Sequence, residues 1–236
     1  MTGNAASLKF DGTLDGANLG YQANTALDLN SAYSVTIPDL AFDRAQVKAQ
    51  TNATFVKLGS VEINAITATT TYADRTLQFQ THVAQGRAGG QAEAAAGGDS
   101  SGTRELDATG SVILHPDHQE VHLPSLSLRT QGVEWKSAPG AQATVKYGQD
   151  RIEVQDVRLV NADQVLNVDG VFAIGENVRF DGIKVHAENV DVAQLEKLAL
   201  QNRGLTGRLN ADATISGSAN APTVTGHAPT TAVTLG

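Results

Sequence analysis

Apolar and polar residues alternate along most of this 236-residue chain. Apolar residues recur two positions apart with polar residues between them, which puts the apolar side chains on one face of a strand. Turn-forming pairs such as Asp11-Gly12 and Asp169-Gly170 separate these runs. Aromatic residues make up only 5% of the chain while glycine is frequent, as is typical of short strands joined by turns. The pattern predicts an all-β fold of short antiparallel strands.

Eight alternating residues are the candidates for lining an apolar groove: Val133, Trp135, Val145, Tyr147, Ile152, Val154, Leu166 and Val168. The first six flank turns of Gly, Pro or Asp, so we expect them to share one face. In a compact sandwich they would be core. In an open sheet with no second layer they would line a groove for an apolar ligand.

A spacing of three, two and five residues between apolar positions recurs along the chain. It starts at Ile37, Leu123 and Phe180, and its first two steps recur from Val154. A step of three in a period-two pattern requires a bulge or a corner, and proline follows the first residue in two copies. Bends at a fixed place in successive copies predict a curved, elongated sheet grown by repetition. Chance alignment is the alternative.

Two segments depart from the alternation. Residues 84–104 contain almost no large apolar side chain, which predicts a flexible insertion or linker. From Asp191 to Asn202 the periodicity is helical, and Asp191 and Gln194 have the spacing of a capping box. The predicted organisation, in chain order, is an N-terminal β segment, the insertion, a β-repeat segment, a short helix and truncated C-terminal strands: 1–83, 84–104, 105–190, 191–203 and 204–236.

Composition excludes several classes of function. A formal net charge of -8 disfavours binding to a phosphate backbone, so no nucleic acid is expected as partner. The absence of cysteine excludes disulfides, thiolate metal sites and a thiol nucleophile. No apolar run reaches the roughly 18 residues of a membrane-spanning helix, and no export signal opens the sequence. If the natural protein is exported, we expect this chain to be a fragment of it.

Candidate chemistry is sparse. His115, His118 and His122 resemble a histidine-rich metal site, but HPDH reads as a turn between strands. The imidazoles are therefore not expected to converge, and neither a metal nor a cofactor is predicted.

The chain also lacks a nucleophile elbow and a phosphate-binding loop. Its scattered carboxylates are expected to be solvated, so the chain is predicted not to be an enzyme: Asp150, Glu153, Asp156, Asp163 and Asp169.

Two stretches resemble the TamB family within the AsmA-like proteins. Gly132 to Ala173 (GVEWKSAPGAQATVKYGQDRIEVQDVRLVNADQVLNVDGVFA) resembles the repeated strand pattern of that family. Val185 to Ala228 is similar to its helix followed by a strand pair, here GRLNADATISGSANAPTVTGH. The two stretches cover about a third of the chain.

The resemblance implies a fold and a function. Members are anchored in the inner membrane of diderm bacteria and cross the periplasm as a taco-like β-sheet with an apolar interior. They are associated with phospholipid transport and outer-membrane protein assembly. By resemblance, this chain would be a periplasmic section of a conduit for phospholipid acyl chains. The anchor, and the portion that meets an outer-membrane barrel protein, would lie outside it.

A structural or adhesive β-solenoid with a closed core and no lipid binding is the alternative. A glycan-processing β-helix enzyme would need converging carboxylates, which the pattern does not supply. The sequence leaves open which lipid is carried, the direction and energy source of transport, and the oligomeric state.

Overall fold

The computed structural model describes most of the chain: residues 2–4, 7–22, 24–58, 61–86, 104–148, 150–173, 179–198, 204–218, 221–227 and 234–235. Strands hold 82% of these residues, and one short α-helix is present among them, so the predicted all-β fold with one helix is confirmed. The chain divides into two compact units, Met1–Ile113 and Leu114–Gly236.

In the first unit, each strand pairs antiparallel with the next one along the chain. The strands are β1 (Thr2–Asn4), β2 (Ser7–Tyr21), β3 (Asn24–Pro38), β4 (Gln46–Leu58), β5 (Val61–Ala73), β6 (Thr76–Gln85) and β7 (Arg104–Leu114). A 3-10 turn at Phe42–Arg44 joins β3 to β4.

Directly paired residues of antiparallel strands point to the same face of a sheet. One row across β3 to β7 is apolar: Val35, Val47, Tyr72, Leu77 and Val112. The adjacent row, on the opposite face, is polar: Ser34, Lys48, Thr71, Gln78 and Ser111. The first unit is therefore an amphipathic sheet.

The first copy of the repeated spacing is not a bulge. β3 ends at Pro38, and Asp39 and Leu40 turn the chain with φ angles of 54° and 57°. Leu40 is 51% exposed, and Phe42 is 77% exposed. The prediction of a bent strand is wrong here, because Pro38 has no N–H to continue the ladder and the chain turns back into β4.

The segment 84–104 falls between two paired strands. Ala84 and Gln85 belong to β6, and Gln85 lies opposite Arg104 of β7. The segment is therefore an insertion within the first unit and not a link between the two units. Its residues 87–103, on which the prediction of flexibility rests, lie outside the described residues.

The second unit contains the remaining strands and the helix. They are β8 (Gln119–Thr130), β9 (Val133–Ser137), β10 (Ala143–Tyr147), β11 (Arg151–Asn161), β12 (Gln164–Ala173), β13 (Arg179–Asp191), α1 (Val192–Leu198), β14 (Leu205–Thr206), β15 (Arg208–Ser218), β16 (Ala221–His227) and β17 (Thr234–Leu235). Its main sheet follows the order β8, β10, β11, β12, β13, β15, β16, and β14 pairs with β17.

β9 and β10 are short strands that both lie between β8 and β11, and each pairs with a different part of those two strands. The beginning of β8 pairs with β10 up to Leu123, whereas its end pairs with β9 from Ser127 onward. The spacing of three residues from Leu123 to Leu126 therefore lies where β8 changes its pairing partner from β10 to β9. Pro124, which cannot donate to the ladder, stands at that point.

Two predicted bulges are confirmed in the second unit. The register shifts between Val154 and Val157 in β11, and between Phe180 and Ile183 in β13. Gly170 in β12 faces the second irregularity, and a Cβ there would lie 2.6 Å from the Cα of Ile183. Only glycine permits this approach of the two strands.

Candidate functional site

The residues predicted to line a groove lie on one face of the second unit. Val145 pairs directly with Val154, and Tyr147 pairs with Ile152, so these four side chains share a face. The bulge at Asp156, which has a φ of 52°, absorbs one residue of β11. The apolar residues of β11 that follow the bulge therefore point to the same face as Ile152 and Val154.

The remaining candidates join this face through Val157 and Leu159 of β11. Val157 lies opposite Val168, and Leu159 lies opposite Leu166. Leu159 also pairs with Ser137 of β9, which alternates with Trp135 and Val133. All eight predicted residues thus belong to one surface, which we call the apolar face. Their role in binding lipid stays a prediction.

One end of the apolar face is closed. Trp135 and Val190 have an exposed fraction of 0%, and Val133, Leu159 and Ala187 are buried beside them. Leu195 of α1 packs against this cluster, and α1 contacts β8, β9 and β13. Val133 and Trp135 are therefore core residues beneath the helix and not free groove positions.

Side-chain amides hold α1 over the closed end. Oε1 of Gln194 accepts hydrogen bonds from Nδ2 of Asn161 at 2.6 Å and Nε2 of Gln164 at 3.0 Å. Oε1 of the buried Gln164 accepts from the N–H of Asp191 at 2.7 Å. These bonds fasten the start of the helix to the turn between β11 and β12.

The predicted capping box is half correct. Oδ1 of Asp191 accepts from the N–H of Ala193 at 3.0 Å, so Asp191 caps α1 as expected. Gln194, however, bonds Asn161 and Gln164, while Gln164 takes the N–H of Asp191 that the box would have used. The predicted helix extends to Asn202, and its residues 199–202 lie outside the described residues.

The other end of the apolar face is more exposed. Val145, Ile152, Val154 and Val168 are only half-buried there, and Tyr147 is 46% exposed. Each is aliphatic or aromatic, and side chains of this kind bind apolar ligands by surface burial. We call this region the open end of the apolar face.

The reverse face of the same strands is charged. Lys146 lies between Glu120 of β8 and Glu153 of β11, directly opposite both residues. Opposite charges at directly paired positions attract and favour this register. The sheet of the second unit is thus amphipathic across its thickness.

Two of the carboxylates singled out in the sequence contact neighbouring strands. Oδ1 of Asp169 accepts from the N–H of Asp156 at 2.7 Å, which stabilises the bulge in β11. Asp163 lies 3.2 Å from Nη1 of Arg208. Asp163 is 63% exposed, in line with the predicted solvation. The two contacts were not predicted, because each partner is contributed by another strand.

The histidines of the HPDH turn converge, so the contrary prediction is wrong. The N–H of His115 donates to the carbonyl of His118 at 3.0 Å, which closes the turn and sets the two residues side by side. Their rings stack with centroids 4.4 Å apart. The bond from His118 and the backbone N–H of Asp117 itself hold the pKa of the Asp117 carboxyl below its usual 3.8.

No protein-family model, curated protein or solved structure matches this chain. Among the residues described above, no helix is both long and apolar enough to span a membrane.

Proposed function

We propose that this chain is a periplasmic section of a hydrophobic β-sheet conduit, which carries phospholipid acyl chains between the inner and outer membranes without catalysing a reaction. The observation that carries the proposal is the open end of the apolar face. There, Val145, Ile152 and Val154 are half-buried on one face, while the reverse face presents charged residues.

The open end has the chemistry to hold an acyl chain loosely. Burial of hydrocarbon contributes about 25 cal/mol per Å² of apolar surface, irrespective of direction along the face. The side chains of Val145, Ile152, Val154 and Val168 offer no polar group that would fix a chain at one position. An acyl chain would therefore slide along this face while its head group stays in water.

The cellular setting follows from the resemblance of Gly132–Ala173 and Val185–Ala228 to the TamB family. By that resemblance, the chain acts in the periplasm as part of an inner-membrane-anchored protein. It would also contribute to outer-membrane protein assembly through an outer-membrane barrel protein. Neither the anchor nor the surface for that partner is assigned to residues of this chain.

A structural role is the second candidate, and the closed end favours it. Trp135 and Val190 are fully buried under α1, as in a β-solenoid that packs its interior and binds no lipid. The two candidates differ in what contacts Tyr147 and its neighbours at the open end.

Site-specific photo-crosslinking with phospholipid vesicles tests the proposal. A benzophenone amino acid replaces Tyr147 at the open end, and in a matched variant it replaces Lys146, which precedes Tyr147 and lies on the reverse face. We expect phospholipid adducts at position 147 and few at 146, together with co-purified phospholipid in native mass spectra. Equal labelling of both positions, or no adduct and no bound lipid, would contradict the conduit.

A further inference from the structure

The histidines near the start of the second unit surround one carboxylate. Nε2 of His115 lies 3.5 Å from Oε2 of Glu120, and Nε2 of His122 lies 3.4 Å from Oε1 of the same side chain. One ligand atom each from His115, His118 and Glu120 lies within 4.8 Å of the others. The Glu120 carboxylate therefore stands between two imidazoles with a third close by.

His118 is oriented by its neighbour in the turn. Its Nδ1 lies 3.0 Å from Oδ1 of Asp117, so in the neutral tautomer that donates to this carboxylate, Nε2 carries the lone pair that a metal can take. A carboxylate that fixes the tautomer of a histidine is the usual companion of a histidine that binds a metal.

His115 contributes an unsatisfied group. Its Nε2 is buried from solvent and makes no hydrogen bond, although the Glu120 carboxylate is near. A buried polar atom that makes no hydrogen bond is costly, and a metal ion placed between Nε2 of His115 and the Glu120 carboxylate would bind both groups. His82 and His186 differ, because each bonds a single aspartate, at 2.8 and 2.6 Å.

We propose that His115, His118 and Glu120 bind a divalent transition-metal ion of the zinc type, with His122 as the fourth ligand. Imidazole and carboxylate are ligands that Zn²⁺ takes from proteins in tetrahedral sites. The metal joins the turn after His115 to β8 and so has a structural role. This site does not depend on lipid binding.

Binding requires the side chains to rotate. The rings of His115 and His118 are nearly parallel, at 13°, whereas a metal must lie in the plane of each imidazole that it binds. Ligand atoms of a tetrahedral zinc site lie about 3.3 Å apart, given bond lengths of about 2.0 Å. His115 and His118 are half-buried residues of the turn, so their rings can rotate while Glu120 and His122 keep their places on β8.

Titration of the full, tag-free chain with ZnCl₂ by isothermal calorimetry, and with Co²⁺ by visible absorption, tests the site. We expect one ion per chain and the absorption of a four-coordinate Co²⁺ site. His115→Ala and Glu120→Gln should each weaken binding at least tenfold. Asp117→Asn, which removes the orienting carboxylate, should weaken it by about 10- to 100-fold.

His186→Ala is the matched control, because His186 is a half-exposed histidine that bonds a single aspartate, Asp212. It should bind the metal like the unmodified chain. His118→Gln is a second ligand variant in case His115→Ala does not fold, and circular dichroism checks each protein. Absence of saturable binding at one ion per chain would overturn the proposal, as would equal weakening by His186→Ala and the ligand variants.

Discussion

The two units differ in how they bury the apolar face of their sheets. Both are antiparallel sheets with an apolar and a polar face. In the second unit, α1 covers part of the apolar face, and the largest fully buried side chains of the described residues, Trp135 and Val190, lie beneath it. In the first unit the buried cluster consists of Ala53, Val56 and Ile63. The largest buried side chains of the second unit thus lie under a helix, whereas the buried cluster of the first unit is formed by smaller side chains.

Polar residues also interrupt the apolar rows of the first unit. Ser31 and Thr51 pair directly with each other, and their hydroxyls are 2.9 Å apart. The hydroxyls satisfy each other, but they remove apolar area from the middle of the row. The second unit has apolar residues at the corresponding centre of its face, where Leu159 pairs with Leu166. The first unit is consequently expected to have the lower free energy of unfolding.

The largest expected effects come from a charge on the apolar face: loss of stability at the closed end and loss of phospholipid binding at the open end. Val190→Asp buries an unpaired carboxylate under the helix, and the expected cost of several kcal/mol is comparable with a typical total stability of about 5–15 kcal/mol. Ile152→Asp or Val168→Asp at the open end should leave the fold intact and abolish phospholipid binding. Circular dichroism and native mass spectrometry measure the two outcomes, with Ile152→Leu as the matched control. Loss of the β signal in the open-end variants would favour the closed structural role.

Removing the central aromatic residue should be the next largest effect. Trp135→Ala leaves a cavity in the closed end, and we expect a loss of about 3–5 kcal/mol in the free energy of unfolding. Phe79→Ala, on the half-buried apolar face of the first unit, should cost less than half as much. Urea denaturation of both variants makes the comparison. Equal losses would show that the first unit has a core as well packed as the second.

A smaller effect is expected at the helix cap. Asp191→Ala removes the acceptor for the N–H of Ala193, and loss of a cap costs about 1 kcal/mol. The chain contains one tryptophan, so its fluorescence reports on the closed end alone. The emission should shift to the red as α1 loosens above Trp135. Asp150→Ala, at an exposed turn, is the control and should leave the emission unchanged.

The smallest effect is a gain in stability. Phe55 has a φ of 47° and is 52% exposed, which is unfavourable for a bulky side chain that buries little surface in return. Phe55→Asn should stabilise the first unit by about 0.5–1 kcal/mol. Ala162→Gly, at a φ of 52° in an exposed turn of the second unit, should give a similar gain. Scanning calorimetry would contradict this explanation if either change lowered the melting temperature.

The sequence predicted what depends on neighbours along the chain. Strict alternation identified the strands and placed Val145, Val154 and Ile152 on one face. The step of three at Val154 and Phe180 identified two bulges, because a bulge leaves its mark in the residues that form it.

Features that depend on distant residues were missed. The closure of the apolar face rests on Gln164 and Gln194, which are 30 residues apart and whose amides could equally have faced solvent. The convergence of His115 and His118 depends on the register of a turn, which the letters HPDH do not specify. The exchange of β8 between β10 and β9 likewise has no local signal beyond Pro124.

Each strand from β2 to β7 pairs with the next one along the chain, so this sheet can gain or lose strands one hairpin at a time. Two added or deleted strands would change the width of the sheet by about 10 Å, given a strand spacing of about 4.8 Å. The flanking strands would keep their direction, their register and their apolar side, because no pairing in this sheet crosses over a neighbour. The number of strands in such a sheet can therefore change over evolution without redesign of the strands that remain.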